Sequence, residues 1–273
     1  MSTDMRISWI KWVTLLIVEF SLFLVFPAFI LSISLQSDNF IVKSVFIILG
    51  IVGCVFLFNR IRFAFENVNS DDLRMKGMVK LFVGGSLLSV LLFVFYCSIV
   101  LLFGESSIHI NSGPYTFLID ACFTLLLAAI SEEIVYRGVL FRMLDYKIGF
   151  IPALLLSSFL FGFSHISNPN ATIWSSISIS IGMGLLLAAI YKYSHCLWSA
   201  IGLHWAWNFI EGPILGTPVS GIHAPQSVFR LETVVSNLLT GDAFGPETSL
   251  PMVVMGFSLS LYYIYLILRN NEK

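Results

Sequence analysis

The chain has 273 residues, of which 57% are hydrophobic and only 11% are charged. Soluble domains carry about 25% charged residues, so this composition excludes an ordinary soluble globular protein and predicts an integral membrane protein. The formal net charge of −1 excludes the strongly basic surface that nucleic acids require, so we expect no nucleic-acid partner.

The apolar stretches predict eight membrane-spanning helices, because each approaches the about 20 apolar residues that cross a bilayer. In chain order they cover residues 12–35, 40–58, 81–103, 117–139, 150–165, 173–191, 197–214 and 252–268. The first is too long for the core of a secretory signal peptide, and we expect it to remain as a signal anchor. The predicted fold class is all-α, a polytopic membrane protein with about eight transmembrane helices.

The basic residues indicate how these helices are oriented. With the N-terminus in the cytoplasm, all of the 15 Lys and Arg residues except Lys43 and Arg230 fall on the inner side. The positive-inside rule favours this arrangement over its inverse. We therefore expect both termini in the cytoplasm.

The spans divide the chain into four regions. These are residues 1–112 with three helices and a cytoplasmic loop, a polar-bearing helical core at 113–215, an extracytoplasmic loop at 216–250, and the last helix with its tail at 251–273. The loop at 216–250 carries Gly, Pro and charged residues, and we expect it to cover a site from outside or to lie on the membrane. In the third helix, Gly84-Gly85-Ser86 is typical of close helix packing.

Two adjacent glutamates and an arginine interrupt the fourth apolar stretch, in the segment 131–138. Ionisable groups in hydrocarbon cost a few kcal/mol each, so they are candidates for function. Glu133 and Arg137 are four residues apart and face each other on a helix, which predicts a supporting ion pair. Glu132 is rotated by about 100° from Glu133, so we expect it to be available as a general acid or base.

Two later apolar stretches carry His165 and the pair His204 and Asn208. His204 and Asn208 are four residues apart on one helical face, and an imidazole beside an amide is a plausible donor pair for an oxyanion. Counted from the predicted turns at about 1.5 Å per residue, these groups and Glu132 lie at a similar depth. This predicts one shared site, although each group alone is equally typical of a polar helix–helix contact.

The three motifs resemble those of a known family. Glu-Glu-x-x-x-Arg at 132–137, Phe-x-x-x-His at 161–165 and His-x-x-x-Asn at 204–208 are similar, in this order, to the motifs of the CPBP family. This is the CAAX-processing protease and bacteriocin-immunity (Abi) group of intramembrane proteases, which includes the type II CAAX prenyl endopeptidases. The resemblance covers residues 116–208, about a third of the chain.

The resemblance implies an eight-helix membrane protein whose catalytic cavity opens toward the cytoplasm and the bilayer. It implies that Glu132 and His165 activate a water molecule for attack on a peptide carbonyl. It also implies that His204 and Asn208 stabilise the oxyanion, while Glu133 with Arg137 supports the first helix of the site.

The role of a metal is left open by these residues. Glu132, His165 and His204 have the chemistry of a two-His, one-Glu zinc site with an open position, as in a metalloprotease. The contiguous His-Glu-x-x-His motif of many zinc proteases is absent from the chain. A metal-free mechanism needs the same three residues and uses Asn208 as well, and we favour it.

The leading functional hypothesis is an intramembrane endopeptidase that acts on a membrane-associated peptide or membrane-anchored protein in the bilayer. Peptide maturation, bacteriocin self-immunity and membrane-protein turnover are cellular roles that fit this hypothesis equally well. A bacterial cell membrane is the expected location because many members of the family are bacterial. The alternative is a non-catalytic immunity or scaffold protein that binds a partner through the same polar cavity. A proton-coupled transporter is disfavoured, because the chain shows no inverted repeat and no pair of Gly/Pro-broken helices.

Overall fold

The computed structural model of the protein describes residues 9–37, 39–66, 71–103, 106–233 and 238–271. The α-helices, in chain order, are α1 (Trp9–Leu35), α2 (Phe40–Glu66), α3 (Met78–Phe103), α4 (Phe117–Glu133), α5 (Arg142–Ile148), α6 (Phe150–Ser164), α7 (Ile173–Ile179), α8 (Leu185–Ser194), α9 (Leu197–Phe209) and α10 (Leu250–Asn271). The described sheet has two antiparallel strands, β1 (Ser106–Ile110) and β2 (Phe229–Thr233).

Six helical segments within these ranges are long and apolar enough to cross a membrane. They are Lys11–Ser34, Phe40–Ala64, Met78–Phe103, Phe150–Ser167, Ile173–Ser194 and Leu250–Asn270. The other two predicted spans are helical as well, but each changes from α to π geometry along its length. The chain is thus an all-α polytopic membrane protein, as its composition predicted.

Three π-helical segments interrupt the helical core. The first, π1 (Ile134–Phe141), follows α4 directly; the second, π2 (Ser180–Gly184), joins α7 to α8; the third, π3 (Ile210–Ile214), follows α9. Short π segments inside helices are rare and occur frequently at functional sites. Here π1 begins just after Glu133 and π3 begins two residues after Asn208.

Helices α3 and α9 pack closely through glycine. A Cβ atom at Gly85 would lie 2.1 Å from the Ser199 carbonyl oxygen, and one at Gly202 would lie 2.1 Å from the Phe82 carbonyl oxygen. The Ser86 hydroxyl donates a hydrogen bond to the Gly202 carbonyl at 3.1 Å. The predicted small-residue contact is therefore confirmed for Gly85 and Ser86. It is wrong for Gly84, because a Cβ there would meet nothing within 4 Å.

Two charged pairs tie the elements together away from the polar core. Glu19 of α1 is fully buried and its Oε2 lies 3.9 Å from Arg142 Nη2 in α5. The buried Arg62 of α2 pairs with Asp72, which accepts a hydrogen bond from the Tyr191 hydroxyl at 2.9 Å. Asp72 thus anchors the segment between α2 and α3 to α8.

Candidate active site

The buried ion pair lies at the junction of α4 and π1. Arg137 Nη1 donates to Glu133 Oε1 at 2.9 Å, and Nη2 donates to the Gly184 carbonyl at 3.3 Å. The guanidinium carbon lies 4.1 Å from the centre of the Phe161 ring. The side chains of Glu133 and Arg137 are almost wholly buried. In place of water, the guanidinium contacts the Glu133 carboxylate, the Gly184 carbonyl of π2 and the face of the Phe161 ring.

His204 lies between the two glutamates. Its Nδ1 is 2.8 Å from Glu133 Oε1, and its Nε2 is 3.9 Å from Glu132 Oε2. A carboxylate only accepts hydrogen bonds, so Nδ1 carries the proton that it donates to Glu133. Sequence reasoning placed His204 beside Asn208 but did not find its bond to Glu133, because the two residues are 71 positions apart.

Glu132 differs from Glu133 in its surroundings. Its side chain is about a third exposed, whereas that of Glu133 is fully buried. Glu132 Oε2 makes no hydrogen bond to the described part of the chain. Glu133 Oε2 likewise has no hydrogen-bond partner among these residues, so the two carboxylates differ in exposure. Glu132 is the more accessible of the two to a ligand.

His165 lies where α6 ends and a short 3-10 turn (His165–Ser167) begins. Its Nδ1 is 2.8 Å from the Phe161 carbonyl oxygen, and a carbonyl can only accept, so Nδ1 is the donor. The neutral ring then presents Nε2 as an acceptor. The His165 ring packs against the Phe161 ring, with centroids 5.1 Å apart. The Phe161 ring also packs against the His204 ring, with centroids 6.0 Å apart.

A small cavity brings three of the predicted site residues together. His165, His204 and Asn208 line it, and its volume of about 10 Å³ is the room that about one water molecule needs. Glu132 does not line this cavity, but its Oε2 lies 3.9 Å from Nε2 of the lining residue His204.

The segment 216–250 supplies two further lining residues, Ser220 and Glu247. Asn168 Nδ2 donates to the Ser220 carbonyl at 3.0 Å, and Trp174 Nε1 donates to the Thr248 carbonyl at 3.0 Å. These bonds hold the segment over the ends of α6 and α7. Sequence reasoning missed both residues, since a lone acid or serine in a loop carries no pattern that points to a distant helix.

The described residues offer poor support for a bound metal ion. Among them, no three His, Cys, Asp or Glu side chains come together in a group that could hold one. Glu132, His165 and His204 therefore do not come together here as a metal-ligand set.

The comparisons with known proteins agree with these motifs. Residues 114–210 match the family described as type II CAAX prenyl endopeptidase Rce1-like. No curated protein and no solved structure matches the chain. The matched range holds all six predicted site residues, from Glu132 to Asn208. The segment 114–210 is therefore similar to the Rce1-like family of CAAX-protease-like membrane proteases.

Proposed function

We propose that the protein is an intramembrane endopeptidase that hydrolyses a peptide bond in a membrane-associated peptide or protein. The observation that carries this proposal is the position of His204, with Nδ1 at 2.8 Å from Glu133 and Nε2 at 3.9 Å from Glu132. One imidazole then connects a wholly buried charged support to a carboxylate with a free oxygen. A purely structural role for His204 would need only its hydrogen bond to Glu133 and not its contact with Glu132.

Glu132 is the proposed general base. Its free oxygen and partial exposure allow it to take a proton from a water molecule, and His165 Nε2 is an acceptor that orients the same water. The cavity beside His165 has room for about one water, which suits a single attacking nucleophile. The water oxygen adds to the peptide carbonyl carbon, and its proton passes to Glu132.

His204 and Asn208 are the proposed oxyanion donors. Because Nδ1 already donates to Glu133, Nε2 can donate only when the ring is the doubly protonated imidazolium. The carboxylates of Glu133 and Glu132 flank the ring and stabilise that positive charge. An imidazolium and the Asn208 amide would then meet the negative oxygen together, and loss of one such donor costs about 10²–10³ in rate.

The cellular role that we propose is maturation of a membrane-bound peptide or bacteriocin self-immunity. A substrate anchored in the bilayer can reach a site built between apolar helices without leaving the membrane. A non-catalytic scaffold protein is the competing function. The variant Glu132→Gln distinguishes the protease from the scaffold.

The test is cleavage of a pool of membrane-anchored peptides by the purified protein in nanodiscs, followed by mass spectrometry. Wild type, Glu132→Gln and the control Glu232→Gln, an exposed glutamate of β2, run side by side, each with and without a zinc chelator. We expect wild type and Glu232→Gln to cleave with or without chelator, and Glu132→Gln to be slower by about 10²–10⁴-fold.

Cleavage that chelator abolishes and zinc restores would overturn the metal-free mechanism while keeping the protease. Full function of Glu132→Gln in the host cell would favour the scaffold, because glutamine keeps the shape of the side chain and removes only its charge.

A further inference from the structure

A second pair of acidic side chains lies beside the candidate site. Glu211 belongs to π3, and Glu247 belongs to a 3-10 turn, Pro246–Thr248, in the extracytoplasmic segment. Glu211 is fully buried and Glu247 is 6% exposed. Both oxygens of Glu211 and Oε1 of Glu247 make no hydrogen bond to the described residues. The two groups are close enough to repel each other when charged.

The backbone near Glu211 and near Glu247 is fixed by local hydrogen bonds and by a close approach at a glycine. Thr217 donates to the Glu211 carbonyl from both its backbone N–H, at 3.0 Å, and its hydroxyl, at 2.7 Å. Gly245 has φ of +137°, and a Cβ there would lie 2.4 Å from the Pro218 carbonyl and 3.2 Å from Glu211 Oε1. Glycine therefore permits the turn before Glu247 to approach the Glu211 carboxyl.

Two carboxylates in such a place do not both stay ionised. Removing a charge from water costs several kcal/mol, and a neighbouring negative charge adds to this, so the pair retains at least one proton near neutral pH. Burial is the main cause that raises the pKa of Glu247 to about 7. Hydrogen bonds from Ser220 and the charge of His204 oppose this rise, and the charge of Glu132 adds to it.

Glu247, rather than Glu211, faces the reaction. Glu247 lines the cavity that His165, His204 and Asn208 also line. It belongs to the segment 216–250, whereas Glu132 belongs to α4 and lies 3.9 Å from His204 Nε2. His204, which lines the cavity, is thus shared between the Glu132 carboxylate and the cavity that Glu247 lines.

We propose that Glu247 is a further catalytic residue, the general acid that donates a proton to the leaving amine nitrogen, with Glu211 holding that proton in place until the substrate arrives. This rests on the proposed peptidase function.

Hydrolysis of the peptide bond needs a proton acceptor for the attacking water and a proton donor for the leaving nitrogen. Water adds to the carbonyl carbon and gives one proton to Glu132. The C–N bond then breaks, its electron pair stays on nitrogen, and that nitrogen takes the Glu247 proton. The products are a carboxylic acid and an amine. The proton on Glu132 returns to Glu247 through solvent, which restores both groups.

The test compares two leaving groups. The bond cleaved in the peptide-pool assay is resynthesised with sulfur in place of the amide nitrogen. A thiol leaves as a thiolate, with a pKa of about 8.5, and needs no proton from an acid. We expect Glu247→Gln to slow the amide by about 10²–10⁴-fold and the thioester by less than about 5-fold. Glu232→Gln should leave both rates unchanged.

The pH profile of each substrate is the second readout. Amide cleavage by wild type should fall as pH rises above about 7, where Glu247 loses its proton, and thioester cleavage should show no such fall. Equal losses on both substrates in folded Glu247→Gln would overturn the proposal, since they indicate a structural role. Glu247→Asp, which keeps an acid, should retain more amide activity than Glu247→Gln.

An infrared titration keeps this proposal separate from the peptidase hypothesis. A protonated carboxyl has a distinct C=O stretch, and we expect one such band in wild type at pH 6 that is absent or displaced in Glu247→Gln. Absence of any protonated-carboxyl band in wild type would refute the shared proton whatever the activity. A band without cleavage of any peptide would instead count against the peptidase.

Discussion

Glu133 is the residue on which the geometry of the candidate site depends. A single oxygen, Oε1, accepts hydrogen bonds from Arg137 Nη1 at 2.9 Å and from His204 Nδ1 at 2.8 Å. It therefore joins the helix of the first motif to the helix of the third. Glu132, one residue earlier, makes neither of these bonds, and its side chain is about a third exposed.

This difference predicts that Glu133→Gln lowers the melting temperature and that Glu132→Gln leaves it nearly unchanged. Glu133→Gln removes the charge opposite a buried guanidinium, and breaking a buried pair in this way costs about 3–5 kcal/mol. We expect the melting temperature in detergent to fall by on the order of 10 °C. Glu132→Gln should melt within a few degrees of wild type but lack activity. If both variants melted alike, the division between support and chemistry would be wrong.

Glu247 predicts how stability depends on pH. Its carboxyl has a pKa of about 7 in the folded protein against 4.5 as its ordinary value, so the folded state binds more protons between these values. The stabilisation is complete below about pH 4.5 and is lost as pH rises through about 7. The charged groups near it are Glu132, Glu211 and His204.

We therefore expect wild type to melt at a lower temperature at pH 8 than at pH 5. Melting curves of Glu247→Gln across the same range should show a smaller drop, and those of Glu232→Gln should follow wild type. A slope in Glu247→Gln equal to that of wild type would assign the effect to another group.

At the scale of elements, each of the three π segments in the described part of the chain contains or adjoins a residue of the polar core. Glu133 lies directly before π1, Glu211 lies within π3, and the Gly184 carbonyl that binds Arg137 ends π2. A π segment turns the following side chains relative to an α-helix, because it inserts an extra residue into a turn. The residues of the site thus lie close to points where the α-helix changes to a π-helix.

The contact between α3 and α9 supplies a prediction with an adjacent control. Gly85→Ala places a methyl group against the Ser199 carbonyl, where only 2.1 Å is available, and overpacking of this kind costs about 1–3 kcal/mol. Gly84→Ala meets open space, and alanine favours a helix over glycine by about 1 kcal/mol. Melting in detergent should show Gly85→Ala below wild type and Gly84→Ala equal to or above it. Equal melting of the two variants would mean that the helices separate at little cost.

At the scale of the whole molecule, the orientation in the membrane is still a prediction from charge. The test uses single cysteines at Lys76 and Arg230, both exposed, in a background without the four natural free cysteines. In intact cells a membrane-impermeant maleimide should label Arg230→Cys, and it should label Lys76→Cys only after lysis. The reverse pattern would place both termini outside the cytoplasm.

The sequence by itself determined the membrane class, the helical character of the eight apolar stretches and the identity of the three motifs. These are properties of composition and of short spacing, and hydrocarbon leaves a chain few alternatives to helix. The pairing of Glu133 with Arg137 was also predictable, since four residues on one helix decide it.

Only the tertiary structure decided which groups meet from distant parts of the chain. The bond from His204 to Glu133 spans 71 positions, and Glu247 reaches the cavity from a segment whose local sequence resembles an ordinary loop. The change from α to π geometry was equally invisible, because it follows from how the helices pack and not from the preferences of single residues. Burial and proton affinity depend on neighbours, and neighbours are brought together only by the fold.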